Sequence, residues 1–400
     1  MKPLMITNYF ESHQGGLELI GGRLVRELVR LGEDVRWVAG DVTPPPQDDE
    51  LRLRAAPVRL CNVTERRLGI PFPVPGLSAI RTVAGEIRGA DAVLLQDSLY
   101  PMCILAFLCA ALWHKPVVIA QHVGIVPYRN PIFRLIMTFL NRVVARPMLA
   151  RAERVAFFSE ITARYFAGVR HRAPPKAMFT GVDTEIFHPI GDGEKKSDLR
   201  RRLGLSPERP VALFVGRFVE KKGLPILAHM VRQRPEIQWV FAGWGHLDPE
   251  AWGAPNVFVV RGRSGADLAP LYQTSDVFVL PSKGEGFPLV IQEALACGLP
   301  VVCSAETAEA DRAVKPLLFP VAADESRPSD AASAFCAEID RRLATSADPA
   351  AAGERFDFVL RRYSWPACGA EYRELIRCAV HDAQLRGRGA GTPRTEAGHV

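Results

Sequence analysis

No two cysteines in this sequence fall into a C-x-x-C pair, and none stands at a metal-ligand spacing from a histidine. The eight present, at positions 61, 103, 109, 297, 303, 336, 368 and 378, sit mostly in apolar stretches. Reduced core thiols in a cytoplasmic protein are therefore expected, and a zinc site is not. Long hydrophobic runs are also missing. The longest, Met102 to Trp113, has twelve residues, which suits a buried helix and is too short for a membrane span. No opening signal peptide is visible, because Met1-Lys2-Pro3 leads straight into the strand-like run Leu4 to Thr7, and none is expected. The glycines after that run do not form G-x-G-x-x-G, so a dinucleotide cofactor is not indicated. A strong excess of one charge is missing too, with 50 basic residues against 44 acidic ones. A net +6 favours acidic ligands or an anionic surface mildly and does not by itself indicate nucleic acid.

What the chain has is alternation. Apolar runs at Leu4–Thr7, Val35–Val38, Ala92–Leu95, Val117–Ala120 and Val155–Phe158 are separated by helical stretches. The pattern repeats with Val211–Val215, Trp239–Ala242, Val257–Val260, Val277–Leu280 and Val301–Cys303. Strands buried on both faces read this way, so an α/β chain of two tandem Rossmann-like domains is expected. Ligands of such sheets bind beyond the carboxyl ends of the strands. The polar, turn-rich segment 191–198 marks the join. The expected division is 1–190, 191–362, a helical segment 363–385 returning to the first domain, and a disordered tail 386–400.

The richest stretch runs from Ser275 to Ser304 and reads as strand, loop, helix, turn, strand. Pro288 suits a helix start and Gly298 a helix end. Free N–H groups of Gly286, Phe287 and Leu289 at that start would attract an anion such as phosphate. Glu285 and Glu293 would repel phosphate unless they accept hydrogen bonds from ligand hydroxyls. A nucleotide sugar offers both phosphate and hydroxyls, although a helix with two surface glutamates explains the spacing equally well. Arg217, at the end of a strand, and Lys222, just beyond it, suit a diphosphate or else an exposed charged turn. Gly15 and Gly16, between the first strand and helix, allow a close backbone approach or make a plain tight turn. His122 directly follows the strand Val117–Ala120, where a structural role competes with a site role. From Ile132 to Arg151, Arg134, Thr138, Arg142 and Arg146 recur every four residues along an apolar helix. That stripe faces solvent, or rests on anionic lipid, or lines an acceptor cleft.

Several of these strings together resemble the family 4 (group 1) glycosyltransferases. Glu285-Gly286-Phe287-Pro288 with Glu293 matches that family's E-x7-E donor signature. Gly216-Arg217 with Lys222-Gly223 matches its G-R-x-x-x-x-K-G pattern. Thr180 to Pro189 matches N-G-V-D-x-x-x-F-x-P with Thr180 in place of Asn, and Trp244 replaces the usual acid between Gly243 and Gly245. Ser304 to Glu309 departs from the expected Pro-Glu loop. The resemblance implies the GT-B fold, two Rossmann-like domains facing across a cleft. It implies that Glu285 meets the donor sugar, Gly286, Phe287, Pro288 and Leu289 line its phosphate loop, and Glu293 holds the ribose. Arg217 and Lys222 would take the diphosphate, Gly15 and Gly16 would lie over the phosphates, and the Arg263 backbone would read the base. His122 would face the transferred sugar. His122, Arg217, Lys222 and Glu285 are thus the catalytic candidates.

The implied function is a retaining, metal-independent transfer of a sugar from a nucleotide diphosphate to a glycan or lipid-linked acceptor. The enzyme would be cytoplasmic, with contact to the inner membrane face through residues 129–154. A silent nucleotide-sugar-binding protein and a nucleotide-sugar epimerase are the competing functions on the same fold.

Overall fold

A computed structural model describes residues 1–389 apart from 14–15, 63–72, 125–130, 192, 284–286, 323, 325 and 346–347. It divides into two compact units, Met1–Phe179 with Cys368–Val400, and Thr180–Ala367. The first holds β1 (Pro3–Tyr9), β2 (Arg36–Gly40), β3 (Ala55–Val58), β4 (Leu60–Cys61), β5 (Val74–Pro75), β6 (Ala92–Gln96), β7 (Val117–Gln121), β8 (Arg154–Phe157) and β9 (Lys176–Ala177). Seven of these make one sheet in the order β3-β2-β1-β6-β7-β8-β9, and β4 and β5 pair separately. The second unit holds β10 (Val211–Phe218), β11 (Gln238–Gly245), β12 (Val257–Val260), β13 (Val277–Leu280), β14 (Val301–Ser304) and β15 (Leu318–Val321). Their order is β12-β11-β10-β13-β14-β15. Both large sheets are parallel throughout. In each, strand order reverses beside the first strand, which opens a crevice at the carboxyl edge.

Burial explains why the apolar runs became central strands. Every residue of β1, β6, β7 and β13 is buried, and each large aliphatic side chain so placed contributes about 1.5–3 kcal/mol. Trp37 is fully enclosed, and its indole donates to Thr7 Oγ1 at 2.8 Å, so its polar atom is satisfied. Two edge strands lie outside the sequence expectation for a shared reason. β3 contains Pro57 and β15 contains Pro320, each exposed, and proline is tolerated where one side of a strand carries no partner.

The units part near Thr180. Val182 N donates to Tyr363 O at 2.7 Å and Phe187 packs edge-on to Tyr272, so 180–189 is built into the second unit. At the other end, helix Trp365–Gly389 runs past the point where a disordered tail was expected. Along the first unit Gly369 lies against Glu27, Arg377 pairs with Glu33 at 3.4 Å and Asp382 with Arg154 at 2.6 Å. Arg386, expected in the tail, instead holds Glu153, and residues 390–400 lie outside the described residues.

The arginine stripe is also corrected. Helix Pro131–Leu140 passes through a π-turn, Asn141–Ala145, before helix Arg146–Arg151. The wider turn shifts the phase of everything after it. Arg134 and Arg142 stay exposed, but Arg146 swings inward and donates to Tyr165 O at 2.9 Å while lying over the Tyr165 and Phe166 rings. Among the described residues no helix is long and apolar enough to cross a membrane.

Candidate active site

In the second unit, the carboxyl ends of β10 and β13 and the start of helix Leu289–Ala296 bring most of the expected residues to one edge. Two glycines shape that edge. Gly243 has φ +151°, and a Cβ there would lie 1.9 Å from Gly216 O. Gly223 has φ +79°, and its Cβ would lie 2.3 Å from Pro281 O. Neither close approach tolerates a side chain. The second one packs the turn after β10 against the loop after β13, and Lys283 N donates to Lys221 O at 3.1 Å across the same junction.

Arg217 projects from the end of β10, exposed and without an ion pair among the described residues. Lys222 folds back over that strand end, its Cε 3.8 Å from where a Gly216 Cβ would be. Pro288 is the N-cap of helix Leu289–Ala296 and supplies no side-chain acceptor, so the helix presents its first N–H groups and positive dipole end. Phe287 is buried and Leu289 exposed beside it. Glu285 and Gly286 lie outside the described residues. Arg263 follows β12 after Gly262, with β11 between its strand and β10, so it sits about 10 Å along the same edge.

Glu293 is 8% exposed and accepts a hydrogen bond from Tyr272 at 2.7 Å. Burial pushes its carboxyl pKa up to about 7, and the Tyr272 hydrogen bond pulls the other way. Tyr272 is itself fixed by Phe187 and Phe278, with ring centroids 5.7 Å from each. The Thr180–Pro189 segment therefore reaches the site through Phe187, Tyr272 and Glu293. A second chain supports the loop. Asp311 accepts from Arg362 at 2.8 and 3.0 Å and from the Tyr363 hydroxyl, and the Tyr363 ring packs on Phe287 at 5.2 Å. Burial, reinforced by the bond to Asp311, drives the Tyr363 phenol pKa upward. The departure at Ser304–Glu309 resolves into a short helix, Ala305–Ala308, capped by Ser304, whose hydroxyl also donates to Ser282 O at 2.6 Å.

The first unit presents a different surface. Gly16 opens helix Gly16–Arg30 beyond β1, and a Cβ there would meet nothing within 4 Å. Nothing in the described protein demands a glycine at that point. Gly15 lies outside the described residues. His122 follows β7 directly; its Nε2 is 2.9 Å from Gln96 Oε1 and its ring stacks on Phe158 at 4.0 Å. The Gln96 amide nitrogen faces Met5 Sδ at 3.4 Å, so its oxygen is the acceptor and His122 carries the proton on Nε2. Burial pushes the imidazole pKa down to about 3, which keeps the ring of this half-buried residue neutral at pH 7. Below it lies Asp97, buried, with φ +74°. Its carboxylate accepts from Ser98 N at 2.8 Å, Leu99 N at 3.2 Å, Gln121 Nε2 at 3.0 Å and Val123 N at 3.0 Å. Four N–H donors converge on one carboxylate, and two of them flank His122.

Tyr272, Asp311 and Asp97 were not singled out from the sequence, and Tyr363 stood out only as the start of the last helical segment. A cation pair and an open helix start beside a buried carboxylate, on a sheet of this order, form an edge of the kind at which α/β enzymes hold anionic ligands. Residues 14–186 match the model for glycosyltransferase family 4, and residues 209–340 the model for glycosyl transferases group 1. The chain is a glycosyltransferase of this family. It is 29% identical over 342 residues to a Bacillus subtilis protein named as the teichuronic acid biosynthesis glycosyltransferase TuaC, covering 76% of this chain and 81% of that one. A D-inositol 3-phosphate glycosyltransferase of Segniliparus rotundus is 31% identical over 264 residues, 60% of this chain and 56% of the relative. Among solved structures, HepE of Anabaena in complex with UDP superposes with a TM-score of 0.66 at 19% identity, over 94% of this chain and 99% of that one. Sucrose-phosphate synthase from Thermosynechococcus elongatus gives 0.64 at 20% identity, over 97% and 100%. These neighbours are GT-B glycosyltransferases, and this chain has the same fold.

Proposed function

We propose that the enzyme transfers a sugar, with retention, from a nucleotide diphosphate to a glycan or lipid-linked acceptor, without a metal. The observation that carries this is the convergence of Arg217, Lys222, the uncapped helix start at Pro288 and buried Glu293 on one edge. Arg217 and Lys222 hold the diphosphate and supply the positive charge that a divalent cation supplies elsewhere. Glu293 accepts hydrogen bonds from the ribose hydroxyls. Glu285 takes the transferred sugar, with Gly286, Phe287 and Leu289 at its phosphate. Gly15 and Gly16 let backbone lie close over the phosphates, and neutral His122 hydrogen-bonds the sugar.

The acceptor hydroxyl oxygen attacks the anomeric carbon on the face that the phosphate leaves. The leaving phosphate oxygen takes the hydroxyl proton, so the products are the glycoside and the nucleoside diphosphate. The name of the Bacillus relative supports a cell-surface polysaccharide as product. UDP, present with HepE, is the first nucleotide to try. Incubating UDP-glucose and other nucleotide sugars without acceptor tests the reading. Slow release of nucleoside diphosphate supports a transferase, an isomerised sugar an epimerase, and neither product a binding protein.

Helix Pro131–Leu140 and its π-turn support a site of action at a membrane face. Leu135 is 71% exposed and Phe139 61%, with Ile136 and Val143 also open and Arg134 and Arg142 among them. Such a face suits the cytoplasmic surface of an anionic membrane, each basic residue contributing about 1 kcal/mol. Flotation with phosphatidylglycerol vesicles should be weak, salt-sensitive and reduced by Arg134→Gln with Arg142→Gln. Equal flotation of both proteins would remove these arginines from the interface.

A further inference from the structure

A cavity of about 400 Å³ opens at the amino-terminal edge of the first sheet, beside Val117, the first residue of β7. His122 follows the other end of that five-residue strand, roughly 16 Å away. The cavity is thus separate from the carboxyl-edge site. Lys115, Arg151, Arg172 and Arg386 line it, each from a different segment, and Glu153 is the one acid among the described residues that line it. Phe107 and Ala111 give it an apolar wall.

Glu153 is already committed. It accepts from Val117 N at 2.8 Å and from both Arg172 and Arg386. Lys115 and Arg151 have no carboxylate partner among the described residues; they donate to the backbone oxygens of Ala90, at 2.7 Å, and Pro147, at 3.3 Å. Among the described residues, four cationic side chains against one carboxylate leave a surplus of three positive charges. Carbonyl ends of helices Pro101–Leu112 and Arg146–Arg151 lie near Lys115 and Arg151, which accounts for a cation at each place. It does not account for four converging on one cavity. His114, also lining it, sits at φ +52°, where a helix end ordinarily has glycine.

We infer that this cavity binds a phosphate ester or diphosphate carried on an apolar group, independently of the donor site. Paired guanidinium N–H groups match phosphate oxygens, and the ammonium of Lys115 adds a point charge. The same chemistry is offered by a phosphorylated metabolite in solution and by a lipid headgroup. Leu108 and Leu112 are exposed on the helix that carries Phe107 and Ala111.

Calorimetric titration with inorganic pyrophosphate tests the inference on four full-length proteins: wild type, Arg217→Ala with Lys222→Ala, Lys115→Gln with Arg151→Gln, and all four changes together. Two sites are expected in the first, one in each double variant, and none in the last. Lys115→Arg with Arg151→Lys should keep the cavity site, which separates loss of charge from loss of fold. If the Arg217/Lys222 variant binds no pyrophosphate, or if replacing Lys115 and Arg151 changes its binding less than threefold, the cavity is no anion site. Failure of the donor reading looks different, because wild type then shows one site that the Lys115/Arg151 change removes. Vesicles distinguish the sources, using a chain that already carries Arg134→Gln and Arg142→Gln. Flotation on phosphatidylglycerol that is lost with Lys115→Gln and Arg151→Gln assigns a lipid headgroup. Pyrophosphate binding without such flotation assigns a soluble phosphate ester.

Discussion

The two large sheets share one plan and carry opposite chemistry. Both are parallel, and both reverse strand order beside their first strand. At the first crevice the protein places a neutral imidazole between an amide and an aromatic ring, over a carboxylate fully engaged by N–H donors. At the second it places two cations, an uncapped helix start and a carboxyl whose pKa lies near 7. The backbone plan is therefore silent about chemistry, which resides in the loops that follow the strands. Under the proposed function the first crevice would face the transferred sugar, and the second the diphosphate and ribose.

The sharpest way to break this contrast is to remove the charge. Arg217→Ala should weaken nucleoside diphosphate binding by roughly 2–4 kcal/mol, the cost of truncating one partner of a desolvated charge pair. Nucleoside alone should be affected far less, and calorimetry compares the two. Unchanged diphosphate affinity would mean that the cations are only a charged turn.

Asp97→Asn probes the other crevice. An amide nitrogen would then confront at least one N–H that now meets carboxylate oxygen, costing about 1–3 kcal/mol of stability. Urea unfolding measures that loss. Nucleoside diphosphate affinity should stay where it is, and a matching fall in affinity would show that the two crevices are not independent.

Glu293 gives a pH signature. Its folded pKa is raised, so the folded state holds the proton more tightly than the unfolded chain. Its contribution to stability is complete below pH 4.5, declines as pH rises, and is lost above about 7. The ionised form is the stronger acceptor for the proposed ribose hydroxyls, so nucleotide affinity should rise with pH through the same region. Glu293→Gln should flatten both profiles and weaken nucleotide and nucleotide sugar alike. A profile that keeps its slope in this variant assigns the titration to another group.

The smallest expected effect is at Tyr363. Tyr363→Phe removes its hydroxyl from Asp311 but keeps the ring against Phe287, costing about 1 kcal/mol of stability. The Michaelis constant for donor should rise while turnover holds. If turnover falls instead, Tyr363 bears on the reacting groups and not on loop position.

Much of this was legible from the chain alone. Central strands bury both faces, so their continuous Val, Ile and Leu runs are visible without a partner. Edge strands β3 and β15 interrupt their short runs with Pro57 and Pro320, and β9 has two residues. No periodicity marks such elements. Arg217, Lys222 and Glu293 were legible because each lies at a fixed offset from a recognisable strand end or helix. The residues that hold the site are linked across larger gaps. Tyr272 meets Glu293 from 21 positions away, Asp97 meets Val123 from 26 and Asp311 meets Tyr363 from 52. A local pattern carries no record of such pairs. The π-turn at Asn141–Ala145 misled in the opposite direction, because a stripe read at four-residue spacing assumes one unbroken helical phase.

The two edge prolines bear on how copies of this protein treat one another. An open strand is a template on which another chain can add a strand, and long polar-free edges invite aggregation. Pro57 on β3 and Pro320 on β15 each lack an N–H, at exposed positions on the outermost strands of their sheets. A strand arriving from a second molecule would find one rung missing on each of these edges. Crowded copies therefore meet two edges that resist intermolecular pairing, and replacing both prolines with valine should make turbidity grow faster at high protein concentration.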